Sequence, residues 1–374
     1  MQKPILSIVV PSYNSAPLLH RCLRELENQN VSKHLFEVII VNDGSTDNTQ
    51  EVLGSIAQTT TLRLQLFQIP HSGPAIARNH GVLHARGEWI GFIDADVSIA
   101  EQWVQTGLNL IQQYPEVGGF EGKTEIVPRE LVTPFTHQTS NTYGGRYPTC
   151  NLILRRSLCV FYPGYKIPFR EDTDLAFCVL QSGYQIRFCE DLLVYHPPLT
   201  PQYSRPLALA LRYYYDGLLA RRFPEKYKND VDVHQVMGFR ISHLRRKIYN
   251  VFVFSQMLCL LMIPIASVPP ASLVAVSLFH LFCFFLVVTV HLVHTKLSSL
   301  RFTDLLILTM ITYWVPWVML VQRLRGFWHF RNISEFTPVS IGKIKYPLPA
   351  NVIPLSTLSP IRAASPSVLY RKVD

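Results

Sequence analysis

Short apolar runs and helical apolar stripes take turns along the first part of the chain. Ile5–Val10, Glu37–Val41, Leu62–Ile69 and Trp89–Ile93 are compact and rich in branched or aromatic residues, which predicts four β-strands. Pro17 to Gln29 puts Leu19, Cys22, Leu23 and Leu26 on one helical face, with Ser15 as its N-cap. The turn Asn42-Asp43-Gly44-Ser45 opens a helix to about Ile56, with Thr46 or Asp47 available to cap it. Gly73-Pro74 opens another to about Ala85, and Glu101 to Tyr114 reads as a fourth. Strands alternating with helices predict an α/β fold, a Rossmann-like and mostly parallel sheet covered on both faces. Beyond Val117 the rhythm loosens. Gly118–Val127 reads as extended, Thr133 to Pro148 as a polar loop and Asn151–Leu154 as a short strand. A helix follows from Glu171 to Gly183, and Gln185–Phe188 and Leu192–Tyr195 read as two edge strands.

The pattern then changes class. No Asp, Glu, Lys or Arg lies between Lys247 and Lys296, nor between Asp304 and Arg323. Such runs are long enough to cross a bilayer, which takes about 20 apolar residues. Candidate spans are Tyr249–Val268, Ala271–Val293 and Phe302–Gln322, the first two separated by Pro269-Pro270. Three full spans would put the C-terminus outside, whereas Arg323, Arg325 and Arg331 favour an inside C-terminus. Trp314, Pro316 and Trp317 also suit a re-entrant or interfacial helix, so both readings of the third run stand. His280, His291 and His294 read as packing or interface positions. The chain thus divides into a catalytic-type head (1–204), a basic juxtamembrane segment (205–247), a membrane region (248–323) and a partly disordered tail rich in Pro and Ser (324–374).

Composition sharpens this division. The 374 residues carry a net charge of +9. Much of that charge lies in the 205–247 segment, where Arg212, Arg221, Arg222, Lys226, Lys228, Arg240, Arg245, Arg246 and Lys247 mix with Tyr213, Tyr214 and Tyr215. Directly before an apolar run, this favours an anionic lipid surface over nucleic acid and puts the segment on the cytoplasmic side. Ile5–Val10 is too short for a secretory signal and leads into Pro11, so the expectation is a multi-pass protein of the cell (inner) membrane with a cytoplasmic head. Seven cysteines without CxxC spacing fit reduced thiols.

The chemistry clusters at strand ends. Asp94 and Asp96 sit one residue apart where the fourth strand finishes, the edge at which open α/β sheets bind ligands. Two acids there can hold a divalent cation together with a diphosphate, although solvated strand-end acids would look the same in isolation. Pro11, Tyr13 and Asn14 follow the first strand and offer an aromatic seat for a flat base. Asp43 follows the second strand and can accept a hydrogen bond from a pyrimidine imide, or simply sit in a capping turn. Arg78 and Asn79 lie early in the third helix, where a guanidinium can reach a ribose or phosphate.

This ordered set strongly resembles glycosyltransferase family 2, inverting enzymes with the A-type nucleotide-diphospho-sugar transferase fold. The resemblance covers about Pro4 to His196. The family's aspartate-x-aspartate motif matches Asp94-Ala95-Asp96, its base-binding aspartate Asp43, its opening proline-x-tyrosine-asparagine Pro11, Tyr13 and Asn14, and its alanine-arginine-asparagine helix Ala77, Arg78 and Asn79. Thr149 to Arg156 is similar to the segment lining the acceptor side of the cleft. Phe169-Arg170-Glu171-Asp172-Thr173-Asp174 is similar to the glutamate-aspartate motif, which implies Asp172 as catalytic base and Glu171 as its positioning or acceptor-binding neighbour. Asp174 reads as a first-turn acid favoured by the helix dipole. Many members carry arginine in the following helix; this chain has Cys178, which leaves a structural ion pair open.

The resemblance implies a UDP-sugar or related donor, a lipid-linked or surface-glycan acceptor, and Mg2+ or Mn2+ held by Asp96 and Asp94. His196 is either a further metal or phosphate contact or a capped core histidine. Two alternatives differ in class. A processive polysaccharide synthase would carry glutamine-x-x-arginine-tryptophan; here Gln202-Tyr203-Ser204-Arg205 runs into Pro206. A non-catalytic sugar-nucleotide-binding module would keep the fold without turnover.

Overall fold

The computed structural model describes residues 3–236, 239–262, 269–292, 300–337 and 353–354. His294, the ends of the first two apolar runs and most of the tail lie outside these residues. Eight strands build the head: β1 Leu6–Ser12, β2 Phe36–Asn42, β3 Leu64–Gln68, β4 Trp89–Phe92, β5 Ser98–Ile99, β6 Gly119–Ile126, β7 Leu152–Arg155 and β8 Ile186–His196. Five helices accompany them: α1 Ala16–Glu27, α2 Thr49–Thr59, α3 Pro74–His84, α4 Trp103–Gln113 and α5 Glu171–Gln181.

The sheet order is β3-β2-β1-β4-β7-β6-β8-β5, with Ile353–Pro354 pairing antiparallel on the β3 edge. From β3 to β4 every pair is parallel, as the alternating pattern predicts. Beyond β4 the sheet is mixed, because β7 runs antiparallel to β4 and β6. The two expected edge strands are one continuous strand, β8, parallel to β6, with a register irregularity at Gly122/Lys123. That irregularity absorbs the polar Glu190-Asp191 interruption that splits the sequence pattern.

Side chains alternate across the sheet. Leu6, Ile8, Val10, Val38 and Ile40 join α1, α2 and α4 in one core; Val9, Ile39 and Val41 join α3 and α5 in the other. On the second face α3 approaches very closely. A Cβ built at Gly81 would lie 2.5 Å from a Val9 methyl, so the small residues of this helix are a packing requirement. Ser15 does occupy the N-cap of α1, but its hydroxyl donates to the Tyr13 carbonyl and makes no side-chain cap.

Beyond the head lie α6 Arg205–Leu211, a 3₁₀ turn Arg212–Tyr215, α7 Asp216–Arg222, α8 Pro224–Asp230, the hairpin β9 His234–Val236 and β10 Phe239–Ile241, and then α9 Leu244–Met262, α10 Pro270–Leu292 and α11 Phe302–His329. Among the described residues two helices, α10 and α11, are long and apolar enough to cross a membrane, with mean hydropathies of 2.6 and 1.7. Of the three expected spans, α9 does not qualify over its described residues, since Arg245, Arg246 and Lys247 occupy its first turn. α11 continues unbroken through Pro316.

The basic segment is not simply a lipid-facing stretch, as its composition suggested. α6, the 3₁₀ turn and α7 pack along α11, and several of their bases turn inward. Arg222 is buried, and Arg212 donates to the Pro168 carbonyl and to His137 Nε2. Arg221, Lys228, Arg245 and Lys247 stay exposed. Phe135, from the loop after β6, is buried in the same apolar cluster as residues of α6, α9, α10 and α11, and its ring meets Tyr203 edge-on.

Candidate active site

Parallel register brings the ends of β1, β2 and β4 to one edge: Ser12 pairs with Asn42, and Val9 with Phe92. The residues that follow each strand therefore converge there. After β1, Asn14 takes a left-handed backbone (φ 50°) and its Oδ1 accepts from the Thr46 amide at 2.8 Å, while its own amide donates to Ser45 Oγ at 2.9 Å. Asn14 thus staples the first two strand-end loops together. Tyr13 is 46% exposed and stacks on His71, with ring centroids 4.2 Å apart. Pro11 is half-buried within β1.

Asp43 is buried, not an exposed turn residue. Its two oxygens accept from the backbone amides of Ser72 and Gly73 at 2.8 and 2.9 Å, and His71 Nδ1 lies 3.0 Å away. Burial raises its pKa against the opposing pull of those amides. Asp43 consequently shapes the loop that leads into α3. Nothing local in the sequence marks His71, an exposed loop histidine; only the fold puts it between Tyr13 and Asp43.

Arg78 is buried and spans the cleft. Nη2 donates to Asp94 Oδ1 at 2.8 Å and Nη1 to Glu171 Oε1 at 3.2 Å. Burial works against its charge, but Asp94 and Glu171 outweigh it and hold the guanidinium charged. The neighbouring Asn79 does not face a ligand: its amide exchanges two hydrogen bonds with the backbone of Phe161, at 2.8 and 2.9 Å.

Asp94 and Asp96 are both half-buried after β4. Burial raises the pKa of Asp96, and the charge of Asp94 adds to the rise. Asp96 Oδ1 has no hydrogen-bond partner, and Oδ2 lies 3.9 Å from His196 Nε2. The pairing of Ser98 with Tyr195 explains that approach, because it lays the end of β8 beside the residues after Asp96. Arg21, another residue sequence reasoning passed over, donates from α1 to the Asp96 carbonyl at 2.7 Å. Among the described residues no three carboxylate, imidazole or thiol side chains form a ready metal cage, His196 included. An orphaned, buried carboxylate oxygen beside a second acid nevertheless fits a cation that completes its shell with substrate phosphates.

Glu171 and Asp172 open α5. Glu171 is buried with one oxygen unpartnered, and its pKa is pushed up to about 7 by burial and then by the charge of Asp172. Asp172 is half-buried; burial raises its pKa too, while its Oδ1 accepts from the Thr173 amide at 2.7 Å. Asp174 does sit in the first turn of α5, but it also anchors a buried ion pair. It is fully buried, receiving Arg222 Nε at 2.6 Å, Arg222 Nη2 at 3.0 Å and the Tyr165 hydroxyl at 3.1 Å. The guanidinium that Cys178 cannot provide comes from α7.

Residues 7–172 match the model of "Glycosyl transferase family 2". The chain is 31% identical over 108 residues to glycosyltransferase AglE of Haloferax volcanii, covering 29% of this chain and 36% of that protein. It is 30% identical over 167 residues to a PGL/p-HBAD biosynthesis glycosyltransferase of Mycobacterium bovis, covering 43% of this chain and 60% of the relative. Among solved structures, the Pyrobaculum calidifontis mannosyltransferase PcManGT aligns with 87% of this chain and 88% of its own, at 17% identity and a TM-score of 0.48. Over residues 7–172, carried on a mixed α/β sheet, the chain is thus similar to glycosyl transferase family 2, and it spans 36% and 60% of the length of these two curated relatives.

Proposed function

We propose that the chain transfers a sugar, with inversion at the anomeric carbon, from a nucleotide-diphospho-sugar (a UDP-sugar) to a hydroxyl of a lipid-linked or cell-surface glycan precursor. The observation that carries this reading is the Arg78 bridge. It ties the acid pair after β4 to the acids of α5, so phosphate-side and base-side carboxylates share one cleft.

Within that cleft each residue has a physical task. Tyr13 and His71 offer stacked rings at the rim, and Asp43 holds the loop beneath them. Asp96, with its unpartnered oxygen, and Asp94, aimed by Arg78, would hold the divalent ion, Mg2+ or Mn2+. When bound, that ion neutralises charge developing on the departing diphosphate. Asp172 accepts the proton of the attacking alcohol while the new C–O bond forms and the bond to the diphosphate breaks. Glu171 keeps Arg78 across the cleft from it. One displacement needs one base and no covalent enzyme intermediate, unlike retaining hydrolysis.

The apolar faces of α10 and α11, with the exposed bases of the juxtamembrane segment, support a seat on the cytoplasmic face of the cell membrane, next to a lipid-linked acceptor. The test uses purified full chain in detergent with a donor that supports turnover. Asp96→Ala and Asp172→Asn should each lower nucleoside diphosphate release at least about a hundredfold, leaving a measurable residual rate, and chelation with EDTA should do the same until Mg2+ or Mn2+ is restored. Wild-type turnover in both variants would end the assignment.

A further inference from the structure

The α5 acids are gripped from outside the sheet. Arg170, directly before Glu171, has a left-handed backbone (φ 73°). Its guanidinium is taken by two acids outside α5: Nε donates to Asp216 Oδ1 at 2.9 Å, and Nη2 and Nη1 to Asp232 at 2.8 and 3.2 Å. On the other side of the acids, Asp174 is fully buried and paired with Arg222. Asp216 and Arg222 are the first and last residues of α7, and both are buried. One short helix thus holds the chain before and after Glu171–Asp172 through two ion pairs of opposite polarity. A buried pair tolerates little displacement, because separation leaves an uncompensated charge.

α7 in turn rests on α11. Gly217 and Gly326 bring the two backbones together so closely that a methyl on Gly217 would collide with the Gly326 carbonyl group, and one on Gly326 with the Tyr214 carbonyl. Arg323 of α11 also lies 3.7 Å from Asp216. The contact series therefore runs from an apolar helix, through α7, to the residues that bracket the base. Cys178 marks the same design from the other side: α5 lacks its own guanidinium, and Arg222 comes within 3.7 Å of that sulfur to supply one.

We propose that α7 is a positioning clamp for the catalytic carboxylates, with Arg222 and Asp216 as positioning residues, and that α11 braces it so that the seat of α11 sets the aim of Asp172. This rests on the reading of Asp172 as the base. Among the described residues, no hydrogen bond or ion pair of Asp216 or Arg222 reaches the loop of Asp43 or the acids after β4, so the clamp bears on turnover before donor capture.

The experiment compares Arg222→Met, Arg222→Lys and Gly326→Ala in the full chain in detergent, reading kcat, donor Kd by calorimetry and thermal midpoint. Arg222→Met should lower kcat at least about tenfold while donor Kd stays within about twofold, since small misplacements of a reacting group are costly. Arg222→Lys should recover part of the loss. In an Asp172→Asn background, Arg222→Met should add nothing, because it acts through the group already removed. Gly326→Ala should show the same kcat-only signature without altering either ion pair. A folded Arg222→Met protein with full kcat, or losses that multiply in the double variant, would overturn the clamp. If Arg222→Met does not fold, wild-type kcat in Gly326→Ala overturns it instead. Retained turnover in Asp172→Asn alone would strike the base assignment, a separable failure.

Discussion

Arg78 stands 2.8 Å from Asp94 and 3.2 Å from Glu171, one buried guanidinium joining the end of β4 to the start of α5. Neither acid has another cation this close among the described ion pairs. Arg78→Met should therefore destabilise the fold by about 3–5 kcal/mol, the usual cost of stripping the partner from buried charge. Arg78→Lys should rescue little, because an ammonium cannot reproduce the planar fork that reaches both carboxylates. Denaturant midpoints and turnover of the two variants, measured side by side, check both statements; a stable, active Arg78→Lys protein would contradict the bridge.

Glu171 makes stability depend on pH. Its folded pKa is raised from 4.5 to about 7, so the folded state keeps a proton that the unfolded chain releases. The sign follows from linkage: its favourable contribution is full below 4.5 and is lost as pH rises through about 7. Without donor or metal, the melting temperature of the wild type should fall relative to Glu171→Gln across that interval. Parallel melting curves for the two proteins between pH 4 and 8 would show that Glu171 titrates normally.

Donor recognition should be separable from catalysis at the Tyr13–His71 stack, which has ring centroids 4.2 Å apart and stands outside the acid network. His71→Ala removes an aromatic contact of about 0.5–1.5 kcal/mol and one partner of Asp43. Donor KM should rise severalfold with kcat nearly unchanged. A fall in kcat at constant KM would put His71 on the reaction path instead.

Membrane seating is testable on α10. Val274, Leu278, Phe282 and Phe285 form one exposed face, each about 60% exposed or close to it. Leu278→Lys places a charge on that face, at a cost of about 2.5–3.5 kcal/mol if it lies mid-bilayer. Carbonate-washed membranes should retain less of the variant than of the wild type. Equal retention would remove α10 from the membrane contact.

Most of the head could be read along the chain. The period of the apolar runs separates β1 to β4 from α1 to α4, and the placement of Asp43, Asp94 and Asp96 after their strands follows directly from that alternation. Along the chain β8 looks like two strands because Glu190 and Asp191 interrupt its pattern, and their accommodation depends on the irregular register with β6. Asp174 reads only as a first-turn acid for a related reason: local spacing sees its helix turn and not the helix packed over it.

What sequence alone determined is the local code: which segments are strands or helices, which strand ends carry acids, and where apolar content turns membrane-like. Only the tertiary structure decided which charges meet. Arg78 reaches Glu171, Arg222 reaches Asp174 and His196 nears Asp96 across long stretches of chain. The physical reason is that period and propensity are set by near neighbours, whereas an ion pair depends on distance in space, which no spacing along the chain encodes.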